Sequence, residues 1–382
     1  MGRVANRIAK ATFLDRDGNT VALDPNTAEG NSLHGGHRTG QNPSSWGHHR
    51  WATTEKDPEP NDHHPPQNSA SFTFTSPEGH GGYPGQVTAT ATYVVLPPPA
   101  STHASTTSLD EAVSRICPGV TVVSGASTSA RSGAGDGTDG VTLTGALRVT
   151  LTCRGATKVT PVNLVHHSYF NLAGHDSGRT VYDHEIHLPA THITDVGAGL
   201  VPTGQLRDVR GTPLDFTRGL TLLSSVQSEL DVHLGDGFRG LDHNFVVWGG
   251  GDGGGGGGGR GGEGEVGGGG GGGAAALTTT AAKNNNKNNN NDKLSMRWHG
   301  TLRDPSSGRI VYIYSNQPGL QAYAGGFLDG VVGKGGAIYD AYGGLALEPQ
   351  AWPDAVHHDH FPNIMLGVGD EYINDTLFVF GA

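Results

Sequence analysis

Two parts of the chain carry groups able to move protons near neutral pH. The first is PVNLVHHSYFNLAG, residues 161–174, in which the imidazoles of His166 and His167 precede Ser168, Tyr169, Phe170 and Asn171. Imidazole titrates closest to neutrality of the common side chains, so a ring walled by aromatics suits proton transfer to a bound organic substrate. The second is GLALEPQAWPD, residues 344–354, where Glu348 ends an apolar run, precedes Pro349 and has Trp352 nearby. A carboxylate there is costly to desolvate, and desolvation raises its pKa toward the range of a general base. Taken singly, each group also fits a structural role, as a core imidazole or as an ion-paired carboxylate at a rim.

The segments around these groups read as strands. Val162, Leu164 and His166 alternate with Asn163, Val165 and His167, so the two histidines point to opposite faces and cannot share one pocket. Leu345 and Leu347 oppose Ala346 and Glu348 in the same way. Near the start, Ile8, Thr12 and Phe13 lead into the turn Asp15-Arg16-Asp17-Gly18-Asn19, and Val21-Ala22-Leu23 returns as a hairpin. In NSLHGG, residues 31–36, two glycines let the backbone approach something closely beside His34. Further strand patterns occupy 71–75, 86–95, 146–153, 184–188, 193–194, 240–247, 294–302, 310–314 and 377–380. Pro202-Thr203-Gly204 reads as a turn, and 216–226 as a short helix or a strand with a turn.

Composition bounds the function. The 382 residues carry a net charge of −11 with pI near 5.9, which argues against a surface that tracks phosphates and hence against nucleic acid as a partner. Cys117 and Cys153 make neither a disulfide framework nor a metal spacing, which points to a reducing compartment. The histidines at 37, 48, 49, 63 and 64 lack ligand spacing on any regular element, so no metal is expected and 37–70 reads as loop. No run approaches the ~20 apolar residues of a membrane span, and a cytoplasmic location is expected.

Glycine is unevenly spread, with 20 of the 63 glycines between Gly249 and Gly273. Residues 249–293 therefore read as a low-complexity, disordered Gly/Asn-rich insertion, placed where a hairpin tip would be. Residues 97–140 form a second insertion, rich in Pro, Ser, Thr and Gly, with Leu109–Ile116 as a candidate helical turn. The remainder, 1–248 and 294–382, is expected to form one domain.

The ordered blocks GRVANRIAKATF (2–13), NSLHGG (31–36), SPEGHGGYPG (76–85), TPVNLVHHSYFNLAG (160–174), LVPTGQLRDVRGTPLDF (200–216), LDHNFVV (241–247), QPGLQAYAGGFLDG (317–330) and EPQAWPDAV (348–356) resemble the aldose 1-epimerase (galactose mutarotase) family. The resemblance implies an all-β fold, a large antiparallel β-sandwich, here lacking the strands usually found upstream of the first block. Sheet edges left open in that way predict poor solubility of the chain as written. The resemblance makes His167 the general acid and Glu348 the general base. It places Arg7, His34 and Asp242 on the sugar hydroxyls, with Asn6 and Gln317 lining the cleft. It further implies a monomer acting on a free aldose, with no cofactor because only protons move. The sequence departs from the family pattern at Gly326, where Asn is usual, and at Val368-Gly369-Asp370-Glu371, where Pro-Gly-Glu is usual. Two other readings stay open: a hexose-6-phosphate epimerase on the same fold, which would need several arginines on a phosphate, and a sugar-binding protein without catalysis.

Overall fold

A computed structural model describes residues 1–37, 43–53, 68–98, 113, 121–122, 141–224, 240–248 and 295–382. The expectations for 249–293, for Cys117, His63 and His64, and for most of 97–140 and 54–67 fall outside these residues. Among the described residues, regular structure consists of strands and single-turn 3-10 helices, as the period-two patterns require, apart from α-helical Val113, Leu223 and Ser224.

Two antiparallel sheets dominate. One has six strands in the order Tyr169–Phe170, Leu345–Gln350, Gly319–Tyr323, Asp242–Val246, His192–Val196, Pro202–Asp208. The larger sheet has ten. Its main path runs from Thr221–Leu222 and Glu185–His187 through Ser295–Arg303, Ile310–Ser315 and Tyr372–Gly381 to Leu143–Arg154, Val87–Leu96, Ser69–Ser76 and Ala52–Thr53.

The sheets face each other across one core. Val87, Ala89, Val149, Leu151, Val311, Ile313 and Phe378 from the large sheet meet Ile193, Phe245, Leu320, Leu345 and Leu347 from the small one. Each fully buried Phe, Ile or Leu contributes roughly 1.5–3 kcal/mol of transfer free energy, so this shared core fixes the stacking of the two layers. A second cluster of Val4, Ile8, Phe13, Tyr83, Trp352 and Phe361 seats the N-terminal segment beside the end of strand Leu345–Gln350.

Three sequence expectations change. Asp242–Val246 and Ser295–Arg303 lie in different sheets, so the two strands do not form the hairpin expected of them. Alternation reports that a strand exists but not which strand it pairs with. Pro202–Gly204 belongs to strand Pro202–Asp208, where Gly204 has φ +87° and the register slips between Thr194 and Val196. The glycine there marks a β-bulge, not a turn. Finally, Val162–Val165 does not alternate in burial, because all four residues are buried. Only Thr160–Pro161 and Tyr169–Phe170 join ladders; between them the chain is held by Asn163, whose side chain bonds both the N–H and C=O of Ala351.

The NSLHGG turn meets the close approach expected of it. A Cβ on Gly35, which has φ +87°, would lie 2.2 Å from the Gly2 carbonyl oxygen. Gly178 has a similar φ of +69° with nothing within 4 Å of that position. Gly178→Ala is therefore expected to cost about 1 kcal/mol of backbone strain, and Gly35→Ala at least about 2 kcal/mol more, because backbone must move. Urea unfolding of the two variants checks the difference; equal losses would contradict it.

Candidate active site

Strand register brings the two proton-moving groups together. Tyr169 pairs with Ala346 and Phe170 with Leu345, antiparallel. Continued two residues outward, the same register sets His167 opposite Glu348. The side chains meet there, with His167 Nε2 3.2 Å from Glu348 Oε1. Glu348 is 2% exposed and His167 11%. His166 points elsewhere: its ring packs on Tyr93 and Phe378 and its Nε2 meets the Ser168 hydroxyl at 2.7 Å.

On its other side Glu348 pairs with Gln321, and Gln321 with Asn244, so one row crosses three strands. Gln321 donates from Nε2 to Asp242 Oδ1 at 2.5 Å and accepts from Asn6 Nδ2 at 3.1 Å. Arg7 donates to Asn6 Oδ1 at 3.3 Å. The Asn6 N–H donates to His34 Nδ1 at 3.2 Å, which leaves the hydrogen of a neutral His34 ring on Nε2. The His34 ring sits edge-on to His167, 5.3 Å between centroids. Strand Arg7–Ile8 pairs with Ser32–Leu33, and this short ladder carries Asn6, Arg7 and His34 to the cleft together. Tyr169, 41% exposed, stands at the mouth, 5.1 Å from His167 and 6.1 Å from Tyr323 between ring centroids.

Six of the seven residues singled out in the sequence thus lie in one contact network, with Gln321 as its link: Asn6, Arg7, His34, His167, Asp242 and Glu348. Gln317 does not join them. It lies two residues before strand Gly319–Tyr323, and its amide donates to Asn316 Oδ1 and to the Ile373 carbonyl. Gln321, four residues on, takes the position at the centre of the network. The available signal was its place as the lone polar side chain inside the apolar run GLQAY, which only the pairing with Leu345–Gln350 turns toward Glu348.

The electrostatics follow from burial. Desolvation raises the Glu348 carboxyl well above the ordinary 4.5, and the Asp242 charge raises it further. Asp242 is also raised by desolvation, against the opposing pull of Arg7 and of the Gln321 hydrogen bond. Burial lowers the Arg7 guanidinium, offset chiefly by Asp242. Among the described residues no group of His, Cys, Asp and Glu has the arrangement of a metal centre. A carboxyl of raised pKa touching an imidazole, within a ring of amide, guanidinium and carboxylate groups, is an arrangement that can exchange protons with a small polar molecule.

The comparisons agree with that reading. The aldose 1-epimerase family matches residues 1–96 and 140–378. A galactose mutarotase from Sus scrofa is 31% identical over 383 residues, covering all of this chain and 78% of that protein. An aldose 1-epimerase from Escherichia coli is 26% identical over 385 residues, covering 79% of that protein. Among solved structures, an aldose epimerase homologue from C. elegans superposes with a TM-score of 0.63 at 22% identity, over 99% of this chain and 80% of that one. The chain belongs to the aldose 1-epimerase family.

The raised Glu348 pKa has a consequence for stability. The folded state resists ionising this carboxyl, so its contribution is most favourable below the unfolded value of about 4.3 and is lost as pH rises through the folded value. Glu348→Gln keeps the shape and has no proton to lose. It is therefore expected to melt roughly 2–4 °C above the wild type at pH 8, with the gap closing toward pH 5. A gap independent of pH, or reversed in sign, would contradict the assigned burial cost.

Proposed function

We propose that this chain interconverts the α and β anomers of free aldohexoses such as galactose and glucose, with Glu348 as general base and His167 as general acid. Glu348 removes the proton from the anomeric hydroxyl while His167 delivers one to the ring oxygen. The bond between C1 and the ring oxygen breaks and the open-chain aldehyde forms. After rotation about the C1–C2 bond, the ring oxygen attacks the other face of the carbonyl. The protonated carboxyl then returns its proton to O1 and the neutral imidazole recovers its own. Atoms and charge balance over the cycle and only protons move, so the scheme invokes no cofactor.

The 3.2 Å contact between His167 Nε2 and Glu348 Oε1 carries this reading, because groups that close can act on neighbouring oxygens of one sugar. Each positioned acid or base contributes ~10²–10⁴-fold. Arg7, Asp242, His34 and Asn6 would hold the remaining hydroxyls so that only the reacting end turns over, and Gln321 joins them through its bonds to Asn6 and Asp242. Gln317 enters this proposal at most indirectly, since its amide is used on Asn316 and Ile373. Galactose as substrate is supported by the named activity of the Sus scrofa relative. A hexose 6-phosphate fits less well: the one arginine in the network faces Asp242, which would repel a phosphate. A cytoplasmic monomer completes the reading. The buried free thiol at Cys153 suits a reducing compartment.

Polarimetry of freshly dissolved α-galactose tests the roles. Glu348→Gln and His167→Ala are each expected to lower mutarotation by at least about 100-fold. In the wild type, kcat should fall as pH drops through the folded value of Glu348, well above the ordinary 4.5. Rates near wild type in either variant would remove that residue from the mechanism. Faster interconversion of glucose 6-phosphate than of galactose would replace the substrate.

A further inference from the structure

Arg7 is held in the network by few contacts of its own. Among the described residues its guanidinium has a single hydrogen bond, to Asn6 Oδ1 at 3.3 Å. A side chain so lightly tethered takes its direction from the backbone that carries it. Arg7 and Ile8 pair with Leu33 and Ser32, and the turn Ala9–Ala11 follows at once. Two of its residues, Lys10 and Ala11, lie in the left-handed region at φ 54° and 47°. Residues with a Cβ stay there only where their surroundings enforce it.

Two side chains from distant segments supply the enforcement. Asp354 grips both ends of Arg7-Ile8-Ala9. Its N–H donates to the Arg7 carbonyl at 3.0 Å, and its Oδ1 accepts from the Ala9 N–H at 2.9 Å. Asn31 Oδ1 accepts from the next N–H, that of Lys10, also at 2.9 Å. Both residues are buried, at 3% and 5% exposure. Asp354 follows the strand that carries Glu348, and Asn31 precedes His34, so the turn after Arg7 is tied to the segments of two other site residues. We propose that Asp354 and Asn31 are positioning residues for Arg7: by fixing the strained turn Ala9–Ala11 they keep its guanidinium beside Asp242. The inference deepens the reading above and rests on it for the role of Arg7 in holding sugar. Asp354 also meets His357, with Nδ1 2.6 Å from Oδ1, and His358, with Nε2 3.7 Å from Oδ2. These imidazoles help to offset the buried charge, whereas the clamp on Ala9 needs only an oxygen that accepts.

Galactose polarimetry and NMR of the Arg7 side chain test this together. Asp354→Gly removes the acceptor while tolerating the φ of 57° at that position, and Asn31→Ala is the independent second site if the glycine variant fails to fold. Each should raise KM for galactose about 10-fold with kcat within about 3-fold of the wild type, the pattern of lost binding. Asp354→Asn keeps an accepting oxygen and tolerates the same φ, but loses the charge paired with His357; its KM should stay within about 2-fold of the wild type. In an Arg7→Ala background neither Asp354→Gly nor Asn31→Ala should raise KM further, because the group they aim is gone. Without sugar, the Arg7 Nε–H resonance, assigned by its loss in Arg7→Lys, should report an ordered side chain in the wild type and in Asp354→Asn. It should report a mobile one in Asp354→Gly and Asn31→Ala. An ordered Arg7 in both of those variants, KM losses that add to that of Arg7→Ala, or an asparagine variant as impaired as the glycine one overturns the proposal. A mobile Arg7 in them, together with an Arg7→Ala variant whose KM equals that of the wild type, would uphold the clamp and reject the sugar-holding role of Arg7 instead.

Discussion

The site depends on the burial of one carboxylate. Glu348 sits within a strand whose six residues are all buried, at the only ladder position where its neighbours are a glutamine on one side and, by continued register, a histidine on the other. Removing a carboxylate from water is costly unless charge or hydrogen bonds compensate. His167 meets one oxygen, and Glu348 is only 2% exposed. The two-sheet core fixes the strand order, and strand order decides which polar side chains reach the carboxylate. The cost that remains appears as a raised pKa, which is the property a base working near neutrality needs.

The binding side of the cleft is built differently. Asn6, Arg7 and His34 come from short segments around a two-residue ladder, and two of them, Asn6 and His34, have positive φ at 59° and 53°. Such conformations persist only where surrounding contacts enforce them. Here the enforcing contacts are the reciprocal bonds between Asn6 and His34, with the Asn6 N–H on His34 Nδ1 and the His34 N–H on the Asn6 carbonyl, and the closure of Gly35 onto Gly2. Glu348 rests on regular sheet register with His167 just beyond the Tyr169–Phe170 ladder, whereas the groups proposed to hold hydroxyls rest on locked loops.

Much of this was legible in the chain. Strict alternation in VTATATYVV gave a strand observed at Val87–Leu96, and alternation in VHH separated His166 from His167 into different surroundings. Residue type and setting singled out His167 and Glu348, whereas Asn6, Arg7, His34 and Asp242 came from the resemblance of their blocks to the aldose 1-epimerase family. What failed was information that lives between strands. Gln317 and Gln321 are equally plausible in QPGLQAY until the pairing with Leu345–Gln350 selects Gln321. Gly204 carries the same turn-like composition whether it ends a hairpin or bulges a strand. That Asp242–Val246 and Ser295–Arg303 join different sheets followed from partners chosen by the core, which no local pattern encodes.

The most direct measurement is a crystal structure of the protein with galactose bound, taken at a pH where Glu348 is ionised. The expected result is a sugar whose anomeric hydroxyl lies within about 3.2 Å of a Glu348 carboxylate oxygen and whose ring oxygen lies within hydrogen-bond reach of His167 Nε2. A sugar bound with its anomeric carbon directed away from that pair, or in another part of the molecule, would contradict the account.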